Sequence, residues 1–196
     1  MQTISFSATS VAANTSGFAT GVTGATWVIE QTSTDDGLGH TVTITNNTGN
    51  SHASKTVVLA GRNVDGGNIS ETLSLPAGNA TVTSTKSFAK LLSAVPSATI
   101  GADTMDIGWS ANSVFNWVRV SDVAKVFNVG FGCSVDGGSP TYTIQHSYGG
   151  NAVFNHPVVA AQTVSKEGVY TSPVRNIRLA FSEAGTVSVV ILQAGA

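Results

Sequence analysis

Apolar and polar residues alternate at every second position along most of this chain, a period that strands satisfy and helices do not. Ile69, Glu71, Leu73 and Leu75 alternate with Ser70, Thr72 and Ser74, and Thr41-Val-Thr-Ile-Thr45 repeats the pattern. So do Val129, Phe131, Cys133 and Val135, then Tyr142, Ile144 and His146, then Ile177, Leu179 and Phe181, then Val187, Val189 and Ile191. Successive side chains of a strand leave opposite faces, so each run offers one face to bury and one to wet. Abundant Thr and Val suit such a half-buried pleated surface. Lys86 to Val95 is the one stretch that could turn helical. It also alternates through Phe88, Lys90 and Leu92, and it reads as strand.

Between the runs lie Asp35-Asp-Gly37, Val64-Asp-Gly-Gly67, Val135-Asp-Gly-Gly138 and Tyr148-Gly-Gly150. Asp-Gly supplies the positive φ that tight hairpin turns demand. Thr56 to Arg62 with Ile69 to Leu75 therefore reads as one hairpin, and Phe131 to Val135 with Thr141 to His146 as a second. The alternation breaks at Trp109-Ser-Ala-Asn-Ser113, which places a boundary there. The expected fold is all-β, two small antiparallel β-sandwich or jelly-roll-like halves with little or no helix. An N-terminal arm covers 1–24, an N-terminal β domain 25–112 and a C-terminal β domain 113–196. The arm is rich in Ser, Thr, Ala and Gly, has little core of its own, and is expected to lie along a partner's strand edge.

Charge narrows the function classes. Only 10% of the residues are charged and 41% are hydrophobic, against about 25% charged in an average soluble domain. That balance excludes disorder, which needs low hydrophobicity and high net charge. A surface of hydroxyls and amides carries weak self-repulsion and tolerates close packing against copies of itself. Nine scattered basic residues and a net charge of −2 argue against direct binding to nucleic acid, which needs clustered Lys and Arg. The start of the chain lacks a basic and then apolar leader. No run approaches the roughly 18 apolar residues of a membrane span. The expected place of synthesis is a cytoplasm.

Candidate chemistry is sparse. Cys133 is alone and shares parity with apolar neighbours, so it reads as a buried core thiol. His40, His52, His146 and His156 form no short metal-ligand spacing, and His156 before Pro157 reads as a hydrogen-bonded loop anchor. Glu30, Glu71, Glu167 and Glu183 lie far apart, whereas a glycosidase needs two carboxylates facing one cleft. Asp103-Thr-Met-Asp106 and Asp35-Asp36 match no calcium loop and read as turn chemistry. Trp27, Trp109 and Trp117 with Tyr142, Tyr148 and Tyr170 could form a sugar-stacking platform. Tyr148, beside two glycines, is the one expected at the surface, while Trp109 and Trp117 are expected in the core or at the junction of the halves. Asn46, Asn68 and Asn79 sit in Asn-x-Ser/Thr triplets, which a Thr-rich chain produces by chance. The expectation is a protein with no catalytic, cofactor or metal site.

The order of short segments carries a resemblance. Tyr142-Thr-Ile-Gln-His146, Phe154-Asn-His-Pro157, Pro173-Val-Arg-Asn-Ile-Arg-Leu179 and Val190-Ile-Leu-Gln-Ala194 follow one another. Before them come Val57-Val-Leu-Ala-Gly-Arg-Asn63, Asn68-Ile-Ser-Glu-Thr-Leu-Ser-Leu75, Thr83-Ser-Thr-Lys-Ser-Phe88 and Asp106-Ile-Gly-Trp109. From about Val57 to Gln193 this order resembles small virion structural proteins of tailed bacteriophages. The resemblance implies a non-enzymatic component made in the cytoplasm of a bacterial host and carried in the virion. It implies a capsid decoration or cement protein, with the major capsid protein and copies of itself as partners, in a homo-oligomer such as a trimer. A tail, head–tail connector or fibre component is the alternative, and a carbohydrate-binding β-sandwich module a second one.

Overall fold

The computed structural model describes residues 2–120, 127–149 and 152–194, and every regular element among them is a strand. The chain is all-β, as its alternation requires. Strand β1 spans Gln2–Ser10. Next come β2 (Asn14–Val22), β3 (Gly39–Asn46), β4 (Thr56–Arg62), β5 (Asn68–Ser74), β6 (Thr81–Phe88), β7 (Lys90–Pro96) and β8 (Met105–Val114). The remainder are β9 (Val118–Arg119), β10 (Asn128–Gly138), β11 (Tyr142–Ser147), β12 (Phe154–Asn155), β13 (Lys166–Tyr170), β14 (Asn176–Phe181) and β15 (Gly185–Ala194).

Two compact units emerge, one made of Ala12–Ser113 and the other of Met1–Val11 with Val114–Ala196. The division lies beside the expected boundary, although β8 runs unbroken through Trp109–Ser113. The arm expected over 1–24 is replaced by two strands. Its first part is β1, in antiparallel register with β15 from Gln2 opposite Gln193 to Ser10 opposite Gly185. Its second part, β2, pairs with β8 and opens the other unit, which therefore starts at Ala12 rather than at 25. Ile4, Phe6 and Ala8 share parity opposite Ile191, Val189 and Val187. That is enough apolar surface to hold β1 in its own unit, and the intervening Ser and Thr obscure it in the sequence.

In the Ala12–Ser113 unit, one sheet contains β8, β3 and β6 with β2 on β8, and the other has the order β5-β4-β7. Phe18, Ile44, Leu59, Phe88, Leu91, Met105, Ile107 and Trp109 fill its core, each at most 1% exposed. The β4–β5 hairpin forms as expected, with Arg62 opposite Asn68. Its loop is organised by Asn63, whose Oδ1 accepts from the Asp65 and Gly67 amides, while Gly66 takes φ +83°. Lys86 to Val95 is strand, but it changes sheets at Ala89, so that β6 pairs β3 and β7 pairs β4. At Gly61 the chains come so close that a Cβ would strike the Lys90 carbonyl and press on the Phe88 ring.

The second unit has a sheet of order β1-β15-β10-β13 and a second sheet of β12, β11 and β14, with β9 on β14. Their facing sides bury Val129, Ile144, Ile177, Leu179, Val187 and Val189 at 0% exposure. The second expected hairpin does not form. β10 pairs with β15 and β13, and β11 with β12 and β14. The Asp136-Gly-Gly138 sequence is used differently, as a bulge between Val135 and Gly137 followed by φ +71° at Gly138. That lets the chain leave one sheet for the other across Pro140, whose Cδ would lie 2.5 Å from any Cβ on Gly185. The turn read at Tyr148–Gly150 ends outside the described residues.

Candidate functional site

The outward face of the β1-β15-β10-β13 sheet carries a trough. On β10, Val129, Phe131 and Cys133 point inward, which leaves Gly130 and Gly132 facing out. Register sets Leu192 and Val169 on either side of Gly130, and Val190 and Glu167 on either side of Gly132. A strand without side chains thus runs between two that have them. Added Cβ atoms at Gly130 and Gly132 would meet nothing within 4 Å, so these glycines leave open space instead of admitting a neighbour of their own chain. The cavity measures about 740 Å³ and reaches Pro157 and Val158, within the roughly 300–1,000 Å³ typical of small-ligand sites. Val158, Val169, Val190 and Leu192 are each between 42% and 53% exposed along it.

His156 holds the wall of this trough. Its Nδ1 accepts from the amides of Val158 (3.3 Å) and Val159 (3.1 Å), which puts the ring proton on Nε2, where it donates to the Val169 carbonyl at 3.3 Å. The loop-anchor reading of His156 describes this geometry. Its ring stands edge-on to Phe131 (5.0 Å) and to Tyr170 (4.8 Å). Gly168 leaves room for both neighbours, since a Cβ there would enter the Phe131 ring and reach 2.9 Å from His156 Cε1. Behind them Tyr170 Oη and His146 Nδ1 are 3.1 Å apart.

Burial favours the neutral forms of Cys133, Tyr142, Tyr170 and His146. It pushes the Cys133 thiol up to about 12 and the Tyr142 phenol up to about 12, and it raises Tyr170 further. It also lowers His146 from 6.5, and a proton on His156 would repel one on His146 and lower it in the same direction. No thiolate or phenolate is thus on offer here at neutral pH, and the arrangement can bind apolar groups but has no activated nucleophile. A pH effect follows. An unfolded His146 takes up a proton near 6.5 that the folded chain resists, so stability is full above that value. It falls as pH drops from about 6.5 into the acid side of the histidine range. Urea midpoints at pH 8 and pH 5.5 (about one unit below the histidine value) should show the loss, and His146→Gln should reduce it. An unchanged loss in that variant would exclude His146 as its source.

The other candidates are drawn into separate internal contacts. His40 Nε2 meets Asp36 Oδ2 and His40 Nδ1 meets the Ser110 carbonyl, each at 2.8 Å. His52 Nε2 meets Asp103 Oδ2 at 2.8 Å, and Lys55 Nζ reaches His52 Nδ1 at 3.2 Å. Hydrogen bonds from Asn50, then from His52, hold the Asp103 carboxyl below its ordinary value. Asp106 accepts from the Gly21 amide and Asp35 from Gln31, so these aspartates serve loops and turns. Glu71 clamps the Thr85 and Lys86 amides, and Glu167 lines the trough. Among the described residues no group of three or more His, Cys, Asp or Glu converges as a metal site would require. No helix there is long and apolar enough to cross a membrane.

The aromatics divide. Trp109 is buried and Tyr142 lies inside the second unit's sandwich. Trp117 sits under the Arg178 guanidinium at 4.4 Å. Tyr148 (56% exposed) and Phe154 (46% exposed) lie side by side, ring centres 5.7 Å apart. Asn46, read as a triplet residue, is a buried knot: its amide donates to the Asn50 and Ala77 carbonyls and accepts from Thr48. Sequence reasoning missed the glycine trough. Its one signal was Gly-Phe-Gly over 130–132, with both glycines on the polar parity of an otherwise apolar strand. Comparison with protein-family models finds no match to this chain, and comparison with curated proteins finds none.

Proposed function

We propose that this chain is a non-enzymatic structural protein of a tailed-phage virion, a decoration protein that binds the major capsid protein and copies of itself and stabilises the shell. The observation that carries this reading is the outward sheet face, an apolar, nearly charge-free surface with a trough opening between strands. The four histidines, and Asp36, Asp103, Asp106 and Glu71, are tied into internal hydrogen bonds, and Glu167 is the one carboxylate among the residues that line the trough. Apolar contacts and neutral hydrogen bonds survive salt better than ion pairs, and a shell multiplies each weak contact over many copies. The resemblance in segment order supports the same reading.

Particles lacking the protein should assemble, then release DNA on heating or chelation sooner than complete ones. Purified protein added back should restore resistance even at high ionic strength. Quantitative mass spectrometry of virions should count hundreds of copies, as multicopy shell binding requires. Full, heat-stable heads that fail to attach would remove the decoration reading and favour a tail, connector or fibre component. The exposed Tyr148–Phe154 pair favours a second reading, a carbohydrate-binding module. Glycan binding lost in Tyr148→Ala would support it, and its absence would dismiss it.

A further inference from the structure

Exposed strand edges invite pairing with another chain, and proteins usually guard them with charge, proline, bulges, shortness or a covering segment. Such guards recur among the described residues. β9 and β12 are two residues long. β2 is covered where the Glu30 and Gln31 amides donate to the Phe18 carbonyl. β5 and β6 cap each other, Glu71 taking the Thr85 and Lys86 amides while Lys86 Nζ donates to the Ser70 carbonyl. β7 is bridged by Ser33 and Thr32. β13 carries Lys166 and Glu167, and its Val169 carbonyl is taken by His156. Among the described residues, β1 from Thr3 to Thr9 has none of these. It belongs to a strand of nine residues without charge, proline or bulge, whose ladder among the described residues runs along one side, with β15.

The direction of its free backbone groups can be worked out. The Val135 amide turns toward β13, where it meets Ser165 Oγ, and the Val169 carbonyl turns outward to His156. Antiparallel ladders alternate residue by residue. Thus Val187, Val189 and Ile191 of β15 turn their backbone groups toward β1, and Ala8, Phe6 and Ile4 turn theirs back. Thr3, Ser5, Ser7 and Thr9 then point their N–H and C=O away from the sheet.

We propose that this edge pairs with the same edge of a second copy, antiparallel about a twofold axis at Phe6. Thr3 then faces Thr9 of the other copy and Ser5 faces its Ser7. Of the registers that match outward groups to outward groups, this one uses all four residues. Each such pair exchanges two N–H···O bonds. No charge on β1 opposes its own copy, and the contact is isologous, so it closes at two chains. The two four-stranded sheets become one, and both glycine troughs open on the same side.

The pairing names the self-contact within the multicopy reading above and is tested apart from it, on the purified full chain. Light scattering at high micromolar concentration should give about twice the 19.9 kDa of one chain. The side chains of Ser5 and Ser7 are exposed, so lysine or glutamate there leaves the fold intact. Ser5→Lys with Ser7→Lys should be monomeric, as should Ser5→Glu with Ser7→Glu, and mixing the two should restore the dimer. In the unaltered chain, the Thr3, Ser5, Ser7 and Thr9 amides should exchange slowly when concentrated and quickly when dilute. A monomeric unaltered chain, an oligomer that persists in both charged variants, or concentration-independent exchange at those amides overturns the proposal. A chain that dimerises but is missing from particles removes the virion reading and leaves the pairing standing. A monomer abundant in virions does the reverse.

Discussion

Replacing Trp109 with alanine should lower the stability of the chain by about 3–5 kcal/mol, the usual cost of deleting a fully packed indole. Trp109 is 1% exposed, stands edge-on to Phe18 with ring centres 5.1 Å apart, and donates from Nε1 to the Ala12 carbonyl at 3.2 Å. Gly17 packs directly on the ring, since any Cβ there would enter it. Strand β2 touches β8 only at irregular intervals, at Asn14, Ala19 and Val22, so the indole supplies much of what holds the two together. Urea unfolding followed by circular dichroism should show the loss as a lower midpoint. Trp109→Phe should cost less, because it keeps the edge-to-face packing and loses one hydrogen bond. A loss below about 1 kcal/mol for the alanine variant, the range of surface substitutions, would show that the ring is not packed as described.

Removing Asp36 should cost a similar amount, about 3–5 kcal/mol, because it strands a buried polar partner. His40 is 0% exposed and the Asp36 side chain 3%. Both ring nitrogens already have oxygen partners, and Asp36 Oδ1 also accepts from the Leu38 amide at 2.9 Å. Asp36→Ala leaves Nε2 of the imidazole and that amide without partners. Asp36→Asn should be milder, since the amide oxygen still serves Leu38 and its N–H can face Nε2. A double-mutant cycle with His40→Ala should return a coupling of about 1–3 kcal/mol, in the range of residues that share one network. Additive losses would mean that the two side chains do not act as a pair.

The contrast between His40–Asp36 and His52–Asp103 shows what a sequence hides. Asp36 and His40 are four residues apart, yet nothing local predicts that a turn and the start of β3 bring them together in a buried pocket. Asp103 is 51 residues from its histidine, and its pairing depends on two distant loops meeting. Glu71 and the Thr85 amide, on different strands of different sheets, are the same kind of contact. Cys133, by contrast, was legible, because parity along β10 depends only on its immediate neighbours. So was the β4–β5 hairpin, where the paired runs are separated by a single short loop.

By itself, the sequence of this protein determined strand, face and turn: which residues point inward on β10, β11, β14 and β15, where chain reversals are possible, and that no helix is needed. These follow from backbone geometry of period two and from the φ freedom of glycine, both local properties. Beyond the β4–β5 hairpin, only the tertiary structure decided which strands pair. Many Thr- and Val-rich strands offer similar ladders, so a partner is selected by what the assembled sandwich buries and not by any one strand. That selection took β10 away from β11, set β1 against β15 where an arm was expected, and turned two outward-facing glycines into the floor of a trough.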